Sequence, residues 1–362
     1  MPRVSETRAL EAVERALELA PLIDGHNDWA WQSRLERASS VEGLDGPLSS
    51  DTDILRLRAG RVGAQFWSVF VEDEGEGPEA VAATLEQIDW EHRLVERYPD
   101  DIVLDRTSAD VEAARATGRI ASLLGAEGAH SFDDSPAVLR MLAALGVRYL
   151  TLTHNRNSAW ADSATDEPRH GGLTERGRDY VRELNRLGIL VDLSHVSADT
   201  MHAALDVATA PVIFSHSSCR ALTDHPRNVP DDVLVRLAGN GGVIMVAFVP
   251  QFVDDAYRQW HDGDRLDPAP VVPLSAVADH IEHARETAGV RHIGLGGDFD
   301  GTDEFPEGLS GVDCYPALLA ELARRGWSAA DLAALAGGNV LRVLRATDAA
   351  FAGTRTVTSL VL

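Results

Sequence analysis

Short apolar runs rich in β-branched residues recur along the chain, most of them closed by polar residues, and between most of them apolar residues return at helical spacing. The runs stand at 22–24 (LID), 62–71 (VGAQFWSVFV), 120–126 (IASLLGA), 147–153 (VRYLTLT), around Val191 and Leu193, at 212–214 (VIF), 242–248 (GVIMVAF) and 292–295 (HIGL). Runs this short, flanked by Gly or Pro, read as fully buried strands. Helical periodicity covers the N-terminal stretch, 78–97, 174–187, 274–287 and 328–346, and Ser197 is placed to cap a helix between the fifth and sixth strands, with Asp199 in its first turn. Eight buried strands mostly alternating with helices predict an α/β fold, a TIM-type (β/α)8 barrel with extra N- and C-terminal helices, ahead of an open doubly wound sheet. No repeat or linker divides the chain, so 1–362 reads as a single catalytic domain. The long polar segment 155–172 reads as a lid or binding loop.

The polar residues at the strand ends carry the chemistry. They are His26 and Asp28 after the first strand, Glu127 after the third, His154 after the fourth, His195 after the fifth, His216 after the sixth and Asp298 after the eighth. In a barrel all of these converge on one mouth. Nitrogen and carboxylate donors without thiolate suit zinc or a similar divalent ion, and they outnumber the needs of one tetrahedral site. Two ions are expected, with Glu127 able to bridge them and room for a bridging water that ionises to hydroxide near pH ~7. The reaction class implied is hydrolysis. Asp300 rivals Asp298 for the acid-base role. His92, His202, His280 and His283 lie in helical segments and read as surface or packing residues; His130, His170, His225, His261 and His292, in loops or at strand and helix starts, read the same way, with His130 and His225 the two among them placed to support the site. Trp29, Trp31, Phe66, Trp67 and Phe70 read mainly as core, with one or two lining a pocket.

Composition narrows the field. The 33 basic residues against 57 acidic ones leave a net charge of −24, which repels nucleic acid and anionic membranes. All the basic residues except histidine are arginine, and a chain without lysine excludes Schiff-base chemistry, a Walker-type phosphate loop and a carbamylated-lysine metal bridge. Cys219 and Cys314 lack the spacing of a zinc or redox motif and suit a reducing compartment. The start of the chain has no apolar run resembling a signal peptide and the TVTSLVL tail is too short to span a bilayer, so a cytoplasmic protein is expected.

The motifs HNDWAW at His26, GAEGAH at Gly125, YLTLTHN at Tyr149, VDLSHVS at Val191, VIFSHSS at Val212, RNVPDDVL at Arg227, GGDFDG at Gly296 and GGNVLRVL at Gly337 run in order over nearly the whole chain. Together they resemble the renal (membrane) dipeptidase family of zinc peptidases, peptidase family M19. The resemblance implies a (β/α)8 barrel with two zinc ions that hydrolyses dipeptides, including those with a D-residue at the C-terminal position. It implies that His26 and Asp28 hold one zinc, His195 and His216 the other, and that Glu127 bridges. It further implies that His154 polarises the scissile carbonyl, that Asp298 moves the proton, and that Arg227 holds the substrate's C-terminal carboxylate. The membrane anchor and secretory signal of the animal members do not carry over, and the loops at 73–78 and 155–172 leave side-chain preference open. The expected partner is a small dipeptide, with no nucleic acid and no membrane; self-association into a homo-oligomer is compatible with the sequence. Another metal-dependent amide or lactone hydrolase on the same barrel is the second reading, and a non-catalytic binding barrel the third.

Overall fold

The computed structural model describes residues 5–72 and 77–357. Most of the acidic loop at 73–78 and the last residues of the TVTSLVL tail lie outside them. Nine parallel strands are present: β1 (Leu22–Asn27), β2 (Val62–Ser68), β3 (Ile102–Leu104), β4 (Ile120–Ala126), β5 (Val147–Thr151), β6 (Leu190–Asp192), β7 (Ile213–Ser217), β8 (Val243–Val246) and β9 (Ile293–Leu295). Eight of them close a ring. Because β2 pairs with β4 and β1 with β9, the order β1-β2-β4-β5-β6-β7-β8-β9 returns on itself, surrounded by helices as a (β/α)8 barrel. The ninth strand, β3, was not expected from the sequence. It pairs only with the first residues of β4, Ile120 to Ser122, while β5 pairs from Leu124 onward on that strand.

Two hydrophobic clusters follow from strand alternation. Ile23, Ala64, Phe66, Ala121, Leu123, Tyr149, Leu190, Ile213, Val243 and Met245 form one, the filled interior of the ring, joined by Val340, Val343 and Leu344 of the helix Asn339–Val357. A second, larger cluster joins the other strand faces to the surrounding helices, among them Glu6–Leu19, which buries Ala9, Val13, Ala16 and Leu17. Ser197 caps the helix Ala198–Val207 by accepting from the Thr200 amide, as expected. Among the described residues no helix is long and apolar enough to cross a membrane.

Within β4, Ala121 and Leu123 face the interior, so period-two alternation puts Gly125 and then Glu127 on that same side. Gly125 is there because the Tyr149 ring occupies its side-chain space: a Cβ would lie 2.0 Å from Tyr149 Cζ. The ring is thereby free to reach His26, whose Nδ1 lies 2.8 Å from the Tyr149 hydroxyl. Gly125→Ala is expected to destabilise the protein by about 1–3 kcal/mol through overpacking; chemical denaturation of the variant, with an unchanged m-value, is the check.

Candidate metal centre and active site

Each predicted residue reaches the same end of the ring. His26 lies inside β1 and His216 inside β7, each one residue before the strand's end, where the sequence had placed them just past shorter strands, whereas His195 stands three residues beyond β6. His195, Asp298 and Asp300 take left-handed backbone angles, φ 67°, 63° and 61°. Such angles cost about 1–3 kcal/mol each and persist where surrounding contacts hold them.

Glu127 is the centre of the arrangement. Its Oε2 accepts from the Ser68 hydroxyl at 3.1 Å and lies 3.4 Å from His26 Nε2; its Oε1 lies 3.0 Å from His195 Nε2 and 3.4 Å from His216 Nε2. His26 Nε2 is 3.0 Å from Asp28 Oδ2 and 3.9 Å from Asp298 Oδ1. Three overlapping groups therefore have donor atoms close enough to share an ion: His26, Glu127 and His216; Glu127, His154 and His195; His26, Asp28 and Asp298. Asp300 is not among them. Its carboxylate accepts from the Asp51 amide at 2.8 Å and its own amide donates to Asp51 at 2.9 Å, a mutual lock between two loops.

The donor set fits cations. His195 and His216 are buried, and burial above all pushes both imidazoles well below their ordinary pKa, yet their Nε2 atoms face each other at 2.9 Å. The Ser215 hydroxyl donates to Asp192 at 2.6 Å, so it accepts from His216 Nδ1 at 2.9 Å, which turns the His216 Nε2 lone pair toward Glu127. Burial opposes charge on Glu127, but His26 and His195 outweigh it and hold the carboxyl well below the usual range. Buried Asp28 Oδ1 has no hydrogen-bond partner among the described residues. Imidazole and carboxylate donor atoms gathered this closely, with His195 and His216 pushed toward the neutral form and Glu127 toward the ionised one, suit a metal centre.

Beneath these donor atoms lie two residues that sequence reasoning missed. Asp24 accepts from the His26 and Gly297 amides, the Gln65 amide group and the Tyr315 hydroxyl; Asp192 accepts from the Thr151 and Ser215 hydroxyls and the Ser194 and Ser215 amides. Both are fully buried inside apolar runs, and a carboxylate in such a run already demands partners.

The centre opens into a cavity of ≈ 940 Å³ whose lining includes Trp31, Phe70, His154, His225, Arg227 and Phe252. Trp29, Phe66 and Trp67 are core, as expected. His154 packs between Phe70 and His195, with ring centroids at 4.8 and 4.5 Å. Arg227 is 3% exposed, its Nη2 donating to the His216 carbonyl at 3.4 Å and its Nη1 without a partner among the described residues; burial lowers its pKa to about 10. His130 is spent on the Val71 carbonyl at 2.8 Å, and His280 is buried against Cys219.

The segment 155–172 lines the cavity with Asn155, Arg156, Thr165 and Asp166, and side chains within it bond to backbone groups around the pocket. Asp162 accepts from the Arg169, His170 and Gly172 amides, while the Ser163 hydroxyl bonds to the carbonyls of His154 at 2.7 Å and His195 at 3.3 Å. The loop thus ties two pocket histidines together.

Parallel strands closed into a ring, with imidazoles and carboxylates gathered at one mouth, define a metal-dependent hydrolase of the (β/α)8 type. The chain belongs to the membrane dipeptidase family, peptidase family M19, whose family model matches residues 10–357. It is 45% identical to "Dipeptidase aclJ" of Aspergillus oryzae over 347 residues, 92% of this chain and 79% of that one. It is 42% identical to "Dipeptidase verJ" of Clonostachys rogersoniana over 364 residues, 96% and 90% of the two chains. In fold it resembles a metallo peptidase from Rhodobacter sphaeroides, solved with a phosphinate mimic of the dipeptide L-Ala-D-Ala, with a TM-score of 0.82 at 24% identity over 91% of this chain and 99% of the other.

Asp162→Ala removes the acceptor for those loop amides. Hydrogen exchange at 169–172 should quicken, with a loss of about 1–3 kcal/mol, while exchange in β4 and β5 stays as in the parent.

Proposed function

We propose that the chain is a binuclear zinc dipeptidase, and the observation that carries this is the division of Glu127, one oxygen toward His26 and the other toward His195 and His216. His26, Asp28 and Glu127 would hold one ion; His195, His216 and Glu127 the other. Bound there, two divalent ions supply a water acidic enough to attack at neutral pH and a Lewis acid for the carbonyl. Arg227, which lines the cavity, receives the C-terminal carboxylate of the dipeptide: a buried guanidinium whose Nη1 has no hydrogen-bond partner among the described residues suits a carboxylate. Its fixed position limits the substrate to very short peptides. His154 donates to the oxygen of the tetrahedral adduct. Asp298, held beside His26, takes a proton from the attacking water and passes it to the leaving amine.

The names of the two fungal relatives support the dipeptide reading, and the family resemblance extends it to dipeptides with a D-residue at the C-terminal position. Cys219 and Cys314 are both free and buried, which suits a cytoplasmic setting.

A panel of dipeptides with D or L second residues, assayed on metal-reconstituted protein, tests the proposal. Turnover should require about two equivalents of metal by elemental analysis and vanish on exhaustive chelation; one equivalent with full activity would refute the binuclear site. Asp298→Asn should lower kcat about 10²–10⁴-fold with the metal retained. Arg227→Met should cost about 2–5 kcal/mol in kcat/KM for dipeptides and leave C-terminal amides or lactones unaffected. Equal turnover of lactones and dipeptides by the parent would favour the broader hydrolase reading.

A further inference from the structure

The cavity wall beside Arg227 holds a second donor. His225 lines the same cavity and packs on Phe252 with ring centroids 4.7 Å apart, while the Arg227 guanidinium carbon sits 5.3 Å from that same ring. One phenylalanine therefore sets both side chains. The backbone fixes His225 further: its amide donates to the Thr223 carbonyl at 2.8 Å, its carbonyl accepts from the Asn228 amide at 2.9 Å, and Pro226 separates it from Arg227.

The protonation of the ring follows from one contact. The Arg227 backbone N–H donates to His225 Nδ1 at 3.2 Å. A backbone amide can only donate, so Nδ1 carries the lone pair and, in the neutral ring, Nε2 carries the proton. Burial, with Arg227 alongside, lowers the pKa to about 4, which keeps the ring neutral at physiological pH. Among the described residues no hydrogen bond engages Nε2, and the atom is not sealed inside the protein. His225, a residue of the cavity lining, therefore carries an N–H donor of fixed tautomer with no hydrogen bond among the described residues.

We propose that His225 Nε2–H is a second anchor for the substrate's C-terminal carboxylate, acting beside Arg227 and helping to select dipeptides with a free carboxylate. The inference rests on the dipeptidase reading of the site. A carboxylate offers two oxygens with about four acceptor positions, and Arg227 has one arm on the His216 carbonyl, so its free Nη1 leaves positions that another donor fills. His225 thus binds substrate in ground and transition states alike, which affects KM more than kcat.

His225→Asn and His225→Gln separate this role from a merely structural one. The asparagine oxygen stands near the imidazole Nδ1 position and keeps the acceptor for the Arg227 amide, but removes the distal donor; glutamine restores an N–H near Nε2. Binding of a non-hydrolysable phosphinate dipeptide and of its C-terminal amide is measured on metal-reconstituted parent, His225→Asn, His225→Gln and Arg227→Met proteins, together with KM for a good dipeptide. The expected result is a loss of about tenfold to a hundredfold in affinity and KM for His225→Asn with the free carboxylate only, kcat nearly kept, and recovery in His225→Gln. Parent-like affinity in His225→Asn, or an equal loss with the amide, overturns the proposal. An Arg227→Met protein that binds the free carboxylate as the parent does removes the dipeptidase reading as well, whereas loss in Arg227→Met without loss in His225→Asn removes the His225 anchor alone.

Discussion

One buried carboxylate sets the geometry on which the pocket depends. Glu127 reaches inward from the end of β4 with its two oxygens turned to different partners, His26 on one side and His195 with His216 on the other. Its place is a consequence of strand periodicity. Ala121 and Leu123 fill the ring, Gly125 yields its space to Tyr149, and Glu127 is the next residue of the same face. Tyr149 in turn pairs with His26. Core packing and the polar centre therefore share a side chain, and the interior of the barrel positions the chemistry directly.

The cost of gathering so much charge is met from below. A carboxylate buried without partners is expensive, and here Asp24 and Asp192 each collect hydrogen bonds from several neighbours. These bonds run between strands: Asp24 links β1 to Gln65 of β2 and to Gly297 after β9, and Asp192 links β6 to Thr151 of β5 and Ser215 of β7. The histidines above them inherit a rigid base, and Ser215 passes orientation from Asp192 to His216.

The sequence revealed the ring strands because they are short, apolar and bounded by Gly or polar residues, and the pocket residues because His, Asp and Glu at strand ends are conspicuous. The metal and substrate roles proposed for them rest on the family resemblance that the motifs carry. What stayed hidden depends on contacts between distant residues. Strand β3 has only three residues, two of them half-buried, and carries too little alternation to register. The segment 155–172 reads from its polar composition as a lid or binding loop, and the sequence does not show that Asp162 and Ser163 spend their side chains on backbone groups in and beside it. Trp31 and Phe70 resemble core residues in the sequence; only the closed ring shows that they face the cavity. The left-handed backbone at His195 and Asp298 has no local signal, since neither is the glycine such an angle favours.

The seam of the barrel has a further consequence. Where β1 meets β9 the register runs through one pair, Asp24 with Leu295, extended by the bond from the Asp28 amide to the Phe299 carbonyl at 2.9 Å. His195 and His216 come from neighbouring strands and would meet in an open sheet too. Asp298 meets His26 only because the first and last strands of the ring join. The pocket is thus encoded partly by adjacency of neighbouring strands and partly by closure of the ring, so the approach of Asp298 to His26 reports that the circle has closed.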